Sequence, residues 1–264
     1  MKKIFSLMLS VVFICLLLTN AVNAQNSNKI PYPDGYDIKS SGASSTENLG
    51  DYKKSPYFSQ IDFYNSKNSR SLTILEKFKT YQQTTEWSCG PAAALMVIHH
   101  FGNRDFDELT IARMMDSTPS PDDGIPQEGV LYGTTTRGMV KFFKEAGYQV
   151  TSSLDTKPPG GYTFNHPEDG KNWILQNLNK NTPIMVVWLD WSGHWQVIIG
   201  YDTMGTPTLY DDVVIFADPY DTGDHKQDGY YIYPFLRFFY MWNNPRNQPP
   251  GEDVQPWLIA TPAK

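Results

Sequence analysis

Cys89 is the residue whose type and setting point most directly to chemistry. The chain has two cysteines. Cys15 falls in an N-terminal stretch that reads as a removable signal, so one thiol remains. A disulfide within the remaining chain is then impossible, and Cys89 is either buried and inert, bridged to another molecule, or kept as a reactive thiol. It stands where a loop turns into the apolar run Ala92 to Ile98, opened by Gly90-Pro91 and closed by His99-His100-Phe101-Gly102. Proline at the start and glycine just past the end are helix signals. Backbone N–H groups and the positive end of a helix dipole therefore face the sulfur, a setting that favours negative charge on it. Gln83, six residues upstream, offers a side-chain amide. With the Cys89 N–H it would supply two donors to the oxyanion formed when sulfur attacks a carbonyl.

A cysteine nucleophile needs a base, and the base needs an orienting group. Of the five histidines, His99 and His100 lie in the last turn of the Cys89 helix, about 15 Å from its start. They read as structural, in a place where positive charge is welcome. His166 and His225 lie in polar loops and read as solvated. His194 opens the run Trp195–Tyr201, and Asp218 closes the run Val213–Ala217, with Gly205 and Pro207 between them. If these runs form a hairpin centred near residue 206, the two side chains face one another across the ladder, about 5 Å apart. Asp218 would then accept from one imidazole nitrogen while the other faces Cys89. The competing reading is a surface histidine and a turn aspartate before Pro219.

These residues need a helix and a sheet to bring them together. Further helices are expected over 135–146, stopped by Gly147, and over about 171–180. Ile184–Leu189, Trp195–Tyr201, Val213–Ala217 and Tyr230–Tyr233 are short β-branched and aromatic runs separated by Gly, Pro and Asp, the pattern of an antiparallel sheet. The fold class is α+β, helices first and sheet second. The long Pro- and Gly-containing loops 117–134 and 155–170 are candidates to face a substrate. The aromatic run Tyr230–Trp242 reads as core. Trp87, Trp191 and Trp195 flank the candidate residues and would shield them or simply pack.

Residues 1–24 carry Lys2 and Lys3, an apolar stretch Ile4–Leu18 and the small-residue spacing Val22-Asn23-Ala24, which reads as a secretory signal cleaved near Ala24. The apolar stretch is shorter than the ~20 residues a transmembrane helix needs. Residues 25–57, poor in aliphatic side chains, read as a flexible linker. One domain follows over 58–244, and 245–264 reads as a Pro-rich tail. The signal holds two Lys and no acid. Removing it leaves 20 basic against 28 acidic side chains, a charge of −8 against −6 for the whole chain. That balance argues against nucleic acid as a partner. With one cysteine left no zinc set exists. Asp218, Asp221, Asp224 and Asp228 do not match calcium-loop spacing and read as a solvated acidic turn. Cofactors and metals are expected to be none.

The segment Gln83-Thr84-Thr85-Glu86-Trp87-Ser88-Cys89-Gly90-Pro91-Ala92, with Gly193-His194-Trp195-Gln196-Val197-Ile198-Ile199-Gly200-Tyr201-Asp202 and Ala217-Asp218-Pro219 downstream, resembles the papain-like bacteriocin-processing peptidases, cysteine family 39, and more closely their stand-alone secreted relatives. The likeness covers about residues 77–243 and includes the Phe235–Trp242 segment. It implies a papain-like fold with Cys89 as nucleophile, His194 as general base, Asp218 as its orienting acid and Gln83 as oxyanion donor. The best-known members are fused to an export transporter and cut after a double glycine. This sequence carries a signal instead, so that specificity is not carried over. The cysteine loop also resembles the papain-like phytochelatin synthases, in which an amine replaces water. The expectation is a secreted, monomeric cysteine peptidase acting on peptide or protein substrates, with no membrane partner after signal removal. An acyltransferase and a non-catalytic peptide-binding module on the same scaffold remain the alternatives.

Overall fold

The computed structural model describes residues 28–46, 56–57, 61–121, 125, 127–190, 193–223 and 226–263. Among these the helices are α1 (Gly42–Ser45), α2 (Cys89–His100), α3 (Glu108–Met114), α4 (Thr136–Glu145), α5 (Ser153–Thr156), α6 (Pro167–Leu178) and α7 (Phe235–Met241). The strands are β1 (Leu72–Ile74), β2 (Tyr148–Ser152), β3 (Ile184–Trp188), β4 (His194–Asp202), β5 (Val213–Ala217), β6 (Tyr230–Pro234) and β7 (Trp257–Pro262). They form one antiparallel sheet in the order β2-β7-β3-β4-β5-β6, with β1 also paired to β4. The architecture is α+β, as the apolar patterning indicates.

Helix α2 is apolar on every side, which requires a place inside the molecule. Every residue from Cys89 to Ile98 is buried, and the helix packs against β4 and α3. β3 is buried at each position, and β4 touches both α2 and α6. The centre of the sheet is thus covered on both faces, which explains why these strands read as continuous apolar runs rather than alternating ones. α4 begins with a Thr135 cap on the Gly138 N–H and ends at Gly147, whose φ of +82° suits glycine. Phe235, Phe238, Phe239 and Trp242 are core.

Two of the expected boundaries are corrected. The stretch expected as a flexible linker, 25–57, is fixed to the domain over its described part 28–46. The Ile30 N–H donates to Thr80 O at 2.7 Å and the Thr80 N–H donates to Asn28 O at 2.8 Å. Ile30 and Ala43 are buried. Backbone hydrogen bonds and a few apolar anchors hold a segment whose composition alone would leave it free. The stretch expected as a Pro-rich tail, 245–264, contains β7, which lies between β2 and β3 inside the sheet. Its alternating, partly exposed pattern was masked by flanking prolines. Strands β1 and β2 were also missed, both short and half-exposed. The signal at 1–24 with Cys15, and the remainder of the linker, lie outside the described residues. No described helix is long and apolar enough to cross a membrane.

Candidate active site

Cys89 is the first residue of α2, 7% exposed, at the floor of a cleft of about 790 Å³. Its neighbour Ser88 occupies the N-cap position but makes no capping bond. Its hydroxyl donates instead to Glu108 Oε1 at 2.5 Å. His194, at the start of β4, lines the same cleft together with Gln83, Asp218 and Tyr220. The His194 Nε2 meets Asp218 Oδ1 at 2.6 Å. The Cys89 side chain lies close enough to the imidazole to raise its pKa. With Nε2 committed to Asp218, Nδ1 is the nitrogen left for sulfur. The four residues singled out in the sequence therefore share one cleft.

The electrostatics of this set are settled by competing effects. Burial disfavours a charged imidazole, but the Asp218 carboxylate, through its charge and its hydrogen bond, and then Cys89 outweigh it and hold the His194 pKa well above its ordinary value. Asp218 is itself anchored. Its Oδ1 also accepts from the Tyr220 N–H at 2.8 Å, and its Oδ2 accepts from Gln196 Nε2 at 2.8 Å. The Trp188 indole N–H donates to Gln196 Oε1 at 2.6 Å, which fixes the amide's orientation.

The hairpin of β4 and β5 is present, but in a different register from the one expected. Val197 pairs with Ala217 and Ile198 with Phe216, and Ile199 is then an extra residue before Gly200 pairs with Ile215. Continued toward the cleft, that register puts Gln196, not His194, across from Asp218. His194 reaches the carboxylate on the diagonal, two residues along on the same face. Gly193, with φ +114°, turns the chain into β4, and a Cβ there would meet the buried Asn244 side chain at 2.4 Å.

Gln83 is 1% exposed, and its Nε2 donates to Thr85 O at 2.7 Å. That bond fixes the side chain and leaves its second N–H for a ligand. The loop carrying it is gripped from three sides. Glu108, fully buried in α3, accepts from the Thr84 N–H at 3.0 Å, the Thr84 hydroxyl at 2.7 Å, the Tyr81 hydroxyl at 3.0 Å and the Ser88 hydroxyl. Burial raises the Glu108 pKa against these donors. On the outer side the Ser44 N–H donates to Gln83 O at 3.1 Å, and the Gly42 N–H donates to Glu86 Oε1 at 2.9 Å. A Cβ at Gly42, where φ is +68°, would lie 2.6 Å from Gln83 O. On the sheet side the Gln83 N–H donates to Pro219 O at 2.8 Å.

A family model described as the Peptidase_C39 like family matches residues 75–250. The chain belongs to that family. Two solved structures are similar: the peptidase domain of Streptococcus ComA, a bi-functional ABC transporter involved in a quorum sensing pathway, and the peptidase domain of Streptococcus mutans ComA. The first is 15% identical with a TM-score of 0.45, covering 70% of this chain and 99% of that one. The second is 15% identical with a TM-score of 0.34, covering 70% of this chain and 100% of that one. A search of the curated proteins finds none that matches. The family match begins after the segment 28–46, so the outer grip on the Gln83 loop comes from residues beyond it.

Other expectations sort less evenly. The loop 117–134 does line the cleft, through Ser120, Pro121, Val130, Tyr132 and Gly133, whereas no residue of 155–170 does. That second loop is tied to the sheet side instead, with Phe164 and Gln255 exchanging bonds of 2.9 and 3.1 Å. Trp87 lines the cleft. Trp195 is buried, with its indole N–H on Thr134 O at 2.8 Å, so it packs. Trp191 and His225 lie outside the described residues. Asp218 and Asp221 are buried, which corrects the solvated acidic turn. Among the described residues no group of His, Cys, Asp and Glu is arranged to hold a metal ion. His99 and His100 are neutral rather than dipole-stabilised cations, because burial outweighs the helix end. It lowers His99 to about 4, aided by Arg104 and Lys79, and lowers His100 as well. Sequence reading missed Glu108, Gln196, Asp190 and Tyr220. Gln196 had a signal, since it lies two residues after His194 on the same strand face. Glu108 had none, for only the packing of α3 brings it to the loop.

Proposed function

We propose that this chain is a cysteine peptidase that hydrolyses peptide bonds through a thioester. The observation that carries the reading is that Cys89, at the mouth of a buried helix, lines one cleft with His194 and Asp218, whose side chains meet at 2.6 Å. Cys89 sulfur, deprotonated with His194 as its counter-ion, attacks the scissile carbonyl carbon. The oxyanion accepts from the Cys89 N–H and the free N–H of Gln83. His194, held cationic by Asp218, gives its proton to the leaving nitrogen as the C–N bond breaks, and the amine departs from a thioester. The neutral imidazole then takes a proton from water. The resulting hydroxide attacks the thioester, the C–S bond breaks, and the acid leaves with thiolate and imidazolium restored.

The same reading makes residues 1–24 an export signal and the protein a secreted monomer acting on peptides or proteins. Digesting a proteome-derived peptide library with the wild type and with Cys89→Ala tests it. New termini that depend on Cys89 support the peptidase. Intact peptides together with tight, Cys89-independent binding would overturn it in favour of a binding module. Products joined to an added acceptor amine would move it to acyl transfer.

A further inference from the structure

Three carboxylates line the cleft: Glu86, Asp190 and Asp218. Two accept at least two hydrogen bonds each. Glu86 accepts from the Gly42 N–H at 2.9 Å and the Tyr220 hydroxyl at 2.9 Å. Asp218 accepts from His194, the Tyr220 N–H and Gln196. Asp190, at the end of the strand that delivers Gln196's partner Trp188, is different. Among the described residues its carboxylate accepts one hydrogen bond, from Gln196 Nε2 at 3.2 Å, from an amide already given at closer range to Asp218. It forms no salt bridge among the described residues. Asp190 is partly exposed on the cleft wall, so its remaining lone pairs face the space a substrate would occupy.

We propose, building on the peptidase reading, that Asp190 is a specificity-determining residue that binds a cationic nitrogen of the substrate, an ammonium or guanidinium, beside the Cys89–His194 pair. The charges facing Asp190 favour that occupant. Asp218 is near enough to repel a negative charge on it, and His194, the nearest cation, is already engaged with Asp218 and Cys89. Burial raises the pKa of Tyr231, on the edge strand β6, and the charges of Asp190 and Asp218 add to it. Arg246 also lines the cleft but is exposed and bonds neither Asp190 nor Glu86, so solvent screens it. Burial, with Asp218 adding to it, raises the Asp190 carboxyl to about 6 although His194 and Gln196 pull the other way. It is therefore an anion at neutral pH and loses its charge as the pH falls through about 6. The cation can be a lysine or arginine side chain or the substrate's own α-ammonium.

The test is the rate at which Cys89 of the full chain is alkylated by three haloacetyl probes, one neutral, one bearing a primary ammonium and one bearing a carboxylate, in wild type, Asp190→Asn and Asp190→Glu. The expected result is a preference of about tenfold for the ammonium probe over the neutral one, lost in Asp190→Asn, retained in Asp190→Glu and declining below pH 6. Equal ratios in wild type and Asp190→Asn overturn the inference. A Cys89 that reacts with every probe no faster than a free thiol overturns the nucleophile reading instead, and the probe ratio still reports on Asp190. Peptides with a free or an acetylated N-terminus, each with and without lysine, then separate the two sources of the cation.

Discussion

The Gln82 side-chain amide donates to the backbone carbonyl of Asp218 at 2.9 Å, across 136 positions of sequence. Together with the bond from the Gln83 N–H to Pro219 O, it locks the loop that carries Gln83, the proposed oxyanion donor, to the loop that carries Asp218. The two halves of the candidate site are thus registered through backbone carbonyls as well as through their own side chains. Gln82→Leu removes the donor and leaves a buried carbonyl unpaired, at a cost of about 1–3 kcal/mol. The expected outcome is a kcat roughly tenfold lower with KM little changed, read from steady-state kinetics on a cleaved peptide. A KM effect alone would assign Gln82 to substrate binding.

Asp218→Asn tests the origin of the raised imidazole pKa. The carboxylate is what lifts His194 against the effect of burial, so its neutralisation moves the pKa down. A group whose pKa is raised stays protonated to higher pH, and activity that needs the imidazolium is lost as pH rises through that value. The alkaline limb of the kcat profile should therefore shift to lower pH in the variant, with kcat reduced about 10²- to 10⁴-fold.

Glu108→Gln should act on the Gln83 loop without touching substrate. Glutamine keeps the size but replaces one acceptor oxygen with a donor, and the hydroxyls of Tyr81, Thr84 and Ser88 converge there. A loss of about 2 kcal/mol in stability is expected from denaturant titration, together with a fall in kcat. Glu108→Asp, which retains the charge, should recover part of both.

The histidines at the end of α2 set an acid limit on folding. The His99 pKa is lowered to about 4 from its ordinary value near 6.5, so the unfolded chain takes up a proton that the folded chain refuses. Stability from this residue is complete above about pH 6.5 and is lost as the pH falls toward 4. His100 moves in the same direction. Denaturant midpoints at pH 7 and pH 5 should fall with acid, and less so in His99→Gln.

The parts legible in the sequence are those with local causes. The Cys89 helix, the helices expected over 135–146 and about 171–180, which form over 136–145 and 167–178, and the strands around His194 and Asp218 announced themselves through apolar runs and through Pro and Gly punctuation. The sheet register did not, because a fully buried strand has no alternation to mark it and the long loop between the two strands does not fix their centre; the bulge at Ile199 changes the register again within the ladder. Residues 28–46 and β7 were illegible for a related reason. Each is held by backbone bonds to distant segments, which leave little trace in local composition. Of the site, the residues whose chemistry is distinctive were found, while Glu108 and Gln82, ordinary polar side chains that act by holding loops, became visible only in the packed molecule.

The proposed peptidase chemistry requires Cys89 and His194 to form a charged pair sustained by Asp218. Its most direct measurement is the rate of Cys89 alkylation by iodoacetamide across pH 5 to 9, in wild type and His194→Ala. Wild-type sulfur should react well ahead of a free model thiol at pH 5 to 6, and His194→Ala should abolish this acid-side reactivity. Two superimposable profiles, both following a free thiol, would contradict it.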